Sequence, residues 1–153
     1  MLRLADVPRS ALALGFAGLL PFLWGVGTLY APALEGLTMR LVGPRFVAPF
    51  VLLSYGTIIL AFMSGVIWGF AARAVGAVQG LGFALSVIPA LWAFFFVGGG
   101  PQAAAIYLIA GFLGVLLIDL FFWSNGLAPR WWMALRVPLT AIVCLCLVPV
   151  ALG

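Results

Sequence analysis

Phe46–Phe70, FVAPFVLLSYGTIILAFMSGVIWGF, is a 25-residue stretch without a single charge. About 20 apolar residues in a helix cross the hydrocarbon of a bilayer. A run of this length is therefore a span. It also sets the solvent for the whole chain, because only helices or closed barrels satisfy their own backbone hydrogen bonds in lipid. Composition agrees: the 153 residues are 67% hydrophobic and 7% charged, with a mean hydropathy of +1.33. Soluble domains carry about 25% charged residues. A core of this size has no room for so much apolar surface.

Four further apolar runs lie outside that stretch, at roughly Ala11–Tyr30, Val78–Val97, Gln102–Trp123 and Val137–Leu152. The expected fold is all-α, a polytopic bundle of five transmembrane helices at about 11–30, 46–70, 78–97, 102–123 and 137–152, forming a single domain over 1–153. Pro21 and Pro89 fall inside spans, where the ring removes a backbone donor and bends the helix. The bends either serve packing or break helices that line a site. Between the runs, Ala31–Arg45 reads as a connection punctuated by Pro32, Gly36, Gly43 and Pro44. Gly98-Gly99-Gly100-Pro101 reads as a tight reversal with Pro101 opening the next helix, and Asn125-Gly126 as a turn. Arg3 and Arg9 before an apolar run suggest a signal peptide, but the run exceeds the usual apolar segment of about 7–15 residues. It is read as a true span. No convincing internal repeat is visible, which weakens an inverted-repeat transporter.

With five spans, Arg3, Arg9, Arg73, Arg130 and Arg136 share one side, and Arg40 and Arg45 the other. Positive charge collects on the cytoplasmic side. The expectation is a multi-pass protein of a bacterial inner membrane, N-terminus in the cytoplasm and C-terminus in the periplasm. Trp68, Trp123, Trp131 and Trp132 gather on the inner side too.

Much chemistry is excluded by what the chain lacks. There is no His, so no histidine-ligated metal or haem and no Ser–His nucleophile. All seven cations are Arg, so no Lys forms a Schiff base, and no phosphate-binding P-loop occurs. Cys144 and Cys146, two apart on a helix, point away from each other and read as apolar filler. The arginines lie scattered, which argues against nucleic acid. The expectation is no enzyme, no cofactor and no metal.

The polar residues inside the spans need an explanation. Asp119 is the only carboxylate in a span, where a lone charge is costly. An ion pair with Arg136 or Arg73 is the leading reading. A proton relay is the alternative, and one carboxylate near the rim suits it poorly. Ala61, Gly65 and Gly69 form a small-residue seam that serves either internal packing or a dimer face. Tyr55, Thr57, Ser64 and Trp68 make the same helix the best candidate for lining a pocket.

The Tyr55–Gly69 stretch, together with Asp119, Gly126-Leu127-Ala128-Pro129, Trp131-Trp132 and Leu135-Arg136-Val137-Pro138-Leu139-Thr140, resembles the signature of a five-span integral membrane family of unknown function. That family occurs in proteobacteria and includes a transmembrane protein of animal mitochondria. Val7-Pro8-Arg9 and Gly18–Phe22 fit the same pattern. The resemblance implies fold and location but brings no chemistry. It selects Tyr55, Gly65, Trp68, Gly69, Asp119, Trp131 and Arg136 as candidate structural or pocket residues, with Gly56, Pro129 and Thr140 also matching. Where relatives often carry a polar residue before the Trp-Gly pair, this chain has Ile67.

Three functions are weighed. The first is an accessory, assembly or peripheral subunit of an energy-transducing membrane complex, suggested by small size, few catalytic groups and the family's occurrence. The second is a binder or carrier of a small molecule such as a quinone, lipid or porphyrin. In outline it resembles the tryptophan-rich sensory proteins, although their motif arrangement is missing. A transporter comes last. Expected partners are the lipid bilayer, a larger membrane complex, and a lipid or quinone.

Overall fold

The computed structural model describes residues 3–153, which are mostly helical with no strand among them. After a 3₁₀ turn at Leu4–Asp6 come α1 (Arg9–Ala17), α2 (Leu20–Tyr30), α3 (Pro32–Leu41), α4 (Phe50–Ala71), α5 (Ala77–Phe96), α6 (Pro101–Ser124) and α7 (Trp132–Leu152). Five segments are long and apolar enough to span a membrane, with α1 and α2 together forming the first.

The proline in the first span separates two helices. Pro21 has no N–H for the carbonyl of Ala17, so the ladder tightens into a turn in which Leu19 N–H bonds Phe16 O at 3.0 Å. α1 then packs chiefly on α7, while α2 packs on α4 as well as α7. The two halves of the span thus share α7, and α2 alone adds a substantial contact with α4. In α5 the bend is repaired across helices: beyond Pro89, Ala90 N–H donates to Ser64 Oγ on α4 at 2.9 Å. Ser64 thus joins the most closely packed helix pair, α4 with α5.

Turn chemistry follows expectation. Pro101 opens α6 after Gly99 and Gly100, both at positive φ. α6 ends on Gly126 at φ +70°, with Gly126 N–H bonding Trp123 O and Leu127 N–H bonding Phe122 O. That pair of bonds is a Schellman cap.

Three sequence boundaries need correction. The second span starts at Phe50, because Pro44–Phe46 forms a 3₁₀ turn. Ala31–Arg45 is not irregular: Pro32–Leu41 is a helix, with Pro32 in its first turn, Glu35 near its N-terminus and Arg40 in its last turn. Those charges suit the helix dipole. The fifth span starts at Trp132, five residues earlier than expected, with Pro138 inside it. Arg136 therefore lies a full turn within the helix.

Side-chain packing, not hydrophobicity alone, holds such a bundle, since lipid tails are as apolar as leucine. The core runs through Phe22, Leu52, Leu60, Ile67, Leu108, Phe112, Phe122 and Leu147. Close approach occurs at Gly25, Gly56, Gly82 and Gly111, where an added Cβ would meet neighbouring side chains at 2.6–3.2 Å. The internal-packing reading of Ala61, Gly65 and Gly69 is corrected. All three are exposed, and nothing lies within 4 Å of a Cβ added at Gly65 or Gly69. The seam faces out.

Candidate functional site

Asp119 and Arg136 meet between α6 and α7. Arg136 Nε donates to Asp119 Oδ2 at 2.8 Å, and Trp132 Nε1 donates to Asp119 Oδ1 at 2.8 Å. Asp119 is completely buried and Arg136 is 6% exposed. Both carboxylate oxygens are thereby held by donors of one helix. The guanidinium also lies 6.0 Å from the centre of the Trp132 ring, within cation–π range. Arg73, the other expected partner, is exposed just past the end of α4.

Trp132, Arg136 and Thr140 follow one another at four-residue intervals, which puts them on one face of α7. Thr140 is 2% exposed. Arg136 Nη2 and Thr140 Oγ1 are the buried side-chain polar atoms without a hydrogen-bond partner among the described residues. Buried polar groups are nearly always satisfied, so two on one helix face need a physical cause.

That face borders a cavity of about 210 Å³. α7 contributes Trp132, Arg136 and Thr140; Gly15, Gly18 and Phe22 come from the first span, Phe62 and Met63 from α4, and Phe112 from α6. The cavity lies beside the turn that joins α1 to α2, where the first span faces α4 and α7. At Gly15 an added Cβ would meet Leu135 and Leu139 of α7 at 3.2 Å, so the glycine lets α1 lie close against α7. At the rim, Leu14 and Phe62 are 74% and 64% exposed, so the mouth opens sideways toward lipid. Val143, also on the wall, stands about 16 Å along α7 from Trp132, close to mid-bilayer depth.

The other expected residues are dispersed. Tyr55 is half-buried, with its ring 5.3 Å from that of Phe22, and borders a separate, shallower groove beside Trp24 and Arg45. Trp68 packs on Phe83 at 4.5 Å. Trp131 belongs to a small cluster with Val7, Ala134 and Leu135. Only Asp119 and Arg136 of the expected set come together. Trp132 is missing from that set, although its four-residue spacing from Arg136 identifies it once α7 begins at Trp132. Thr140 enters only through the family pattern.

These features define a multi-pass α-helical membrane protein with a buried ion pair and a lipid-facing cavity. The chain belongs to the family described as Protein of unknown function (DUF3429), which it matches over residues 7–152. The two motifs that carried the resemblance both lie within that range. It is also 34% identical over 151 residues to Transmembrane protein 69 of Xenopus tropicalis, covering 95% of this chain and 54% of that protein. The chain thus spans about half the length of this curated relative. No solved structure matches it.

Proposed function

We propose that this is a non-enzymatic protein of a bacterial inner membrane that binds a small, membrane-dissolved molecule between its first span, α4 and α7. The observation that carries this reading is a cavity whose wall includes Arg136 and Thr140, two residues that each hold a buried polar atom without a partner just behind that wall. An unfilled cavity with two orphaned polar atoms costs stability, and a ligand offsets that cost. A porphyrin fits poorly, since drug-sized ligands already take about 300 Å³ or more and the cavity has about 210 Å³. Asp119, with both oxygens held, serves as an anchor for the Arg136 guanidinium and not as a relay.

The arginine count supports a cytoplasmic N-terminus. Arg3 and Arg130 border one surface hollow with Trp123 and Trp131, which gathers cation and aromatic residues at one end of the bundle, as at a cytoplasmic interface. A second reading, an accessory subunit of an energy-transducing complex, is favoured by the outward seam of Ala61, Gly65 and Gly69, a surface that suits close helix approach.

Native mass spectrometry of protein extracted gently from its own membrane tests the first reading. A non-covalent mass of a few hundred daltons is expected on the parent and absent from Leu139→Trp, which fills the cavity wall. Bare protein in both cases contradicts it. If the extracted protein migrates with a large complex and carries no small molecule, the accessory reading takes its place.

A further inference from the structure

We infer that the cavity between α1, α4 and α7 takes a neutral molecule with a carbonyl oxygen on an apolar body, the oxygen accepting hydrogen bonds from Arg136 Nη2 and Thr140 Oγ1. This rests on the binding reading above and names the chemical class of the ligand.

Charge decides the first point. Asp119 and Arg136 already form a buried pair with no net charge. An anion beside them would leave an uncompensated negative charge at membrane depth, and a cation would leave a positive one. The occupant is therefore neutral. Hydrogen-bond capacity decides the second. Both Asp119 oxygens are taken, and so are the Trp132 N–H and the Arg136 Nε–H, which leaves the N–H donors of the two Nη groups, Nη2 being buried and unpartnered, and the Thr140 hydroxyl. A guanidinium donates and never accepts. The ligand must bring an acceptor, and a carbonyl oxygen has two lone pairs for two donors one helical turn apart.

Size and walls decide the third. A closed apolar cavity of about 150 Å³ takes one benzene ring, so about 210 Å³ holds a substituted six-membered ring. Phe22, Phe62, Phe112 and Trp132 supply aromatic walls. The mouth between Leu14 and Phe62 lets a hydrocarbon tail remain in the bilayer. A quinone ring meets all three conditions. The acyl ester of a neutral lipid presents the same carbonyl chemistry and is the second source.

Isothermal titration in dodecyl maltoside, a detergent without a carbonyl, separates the two. Three probes are titrated into the full chain: a decyl-substituted benzoquinone, dioctanoylglycerol and dodecyl phosphate. Saturable binding of either carbonyl probe, with dodecyl phosphate weaker, supports the inference, and the probe that binds identifies the source. Thr140→Val should weaken that binding about three- to tenfold, the loss of one hydrogen bond, while Thr140→Ser binds like the parent. Ligand-free Thr140→Val should melt no lower than the parent, because it deletes an unsatisfied buried hydroxyl. A merely structural hydroxyl would show the reverse pattern. Tighter binding of dodecyl phosphate, or unchanged binding by Thr140→Val, overturns the inference. If neither carbonyl probe binds but the extracted protein carries a small molecule, the chemical class is wrong and the binding reading stands. If the extracted protein is bare as well, both fall.

Discussion

Asp119→Asn is expected to destabilise the detergent-solubilised protein by about 3–5 kcal/mol, the cost of leaving one member of a buried ion pair uncompensated. The substituted amide has one oxygen for the two donors, Trp132 Nε1 and Arg136 Nε, so the loss combines the missing charge with one missing hydrogen bond. Asp6→Asn is the control. Asp6 lies exposed in the N-terminal 3₁₀ turn, and surface changes of this kind stay within about 0.5 kcal/mol. The double variant Asp119→Leu with Arg136→Met should recover most of the stability, since apolar replacements of a buried pair are often neutral or better. Thermal melts of the parent and these three variants decide the matter. Equal effects of Asp119→Asn and Asp6→Asn would remove the ion pair from the account.

The second large effect concerns the glycines. Gly111→Ala should cost about 1–3 kcal/mol, the usual cost of overpacking. Its new Cβ would stand 2.6 Å from Leu60 Cδ2 and 2.9 Å from Trp92 Cδ1. Trp92 yields little, because its indole N–H is bonded to Tyr107 O at 2.8 Å. Gly65→Ala should instead be neutral or stabilising by up to about 1 kcal/mol, the gain from replacing a helix-interior glycine, since it meets open space. The reverse order in melting temperatures would place the seam of α4 inside the bundle.

This contrast marks a limit of the sequence. A period of four among Ala61, Gly65 and Gly69 identifies a helix face but not what lies against it. In water an apolar face points inward. In lipid both faces are apolar, and the pattern loses its direction. The spans were legible because lipid demands unbroken apolar length, and the turns at Pro101 and Gly126 because glycine and proline act locally. The pairing of Asp119 with Arg136 was legible because a charge at that depth has few partners. α3 was hidden by Pro32 and Gly36, which read as loop punctuation although proline is well accommodated in a first helical turn. The charge of Arg136, read as the end of the preceding connection, drew the start of α7 too far along, and so hid Trp132 from the candidate site. The cavity was not legible at all. It depends on how side chains of the first span, α4, α6 and α7 meet in space, which no spacing within one helix reveals.

Five crossings would put the two ends of the described chain on opposite faces of the membrane, and the sides proposed above rest on that. Single cysteines introduced by Ala5→Cys or Gly153→Cys, with Cys144 and Cys146 replaced by Ser, can be treated with a membrane-impermeant maleimide on intact spheroplasts. The Gly153→Cys protein should react at once, and the Ala5→Cys protein only after the membrane is opened. Reaction of both before opening, or of neither, would contradict the five-span arrangement.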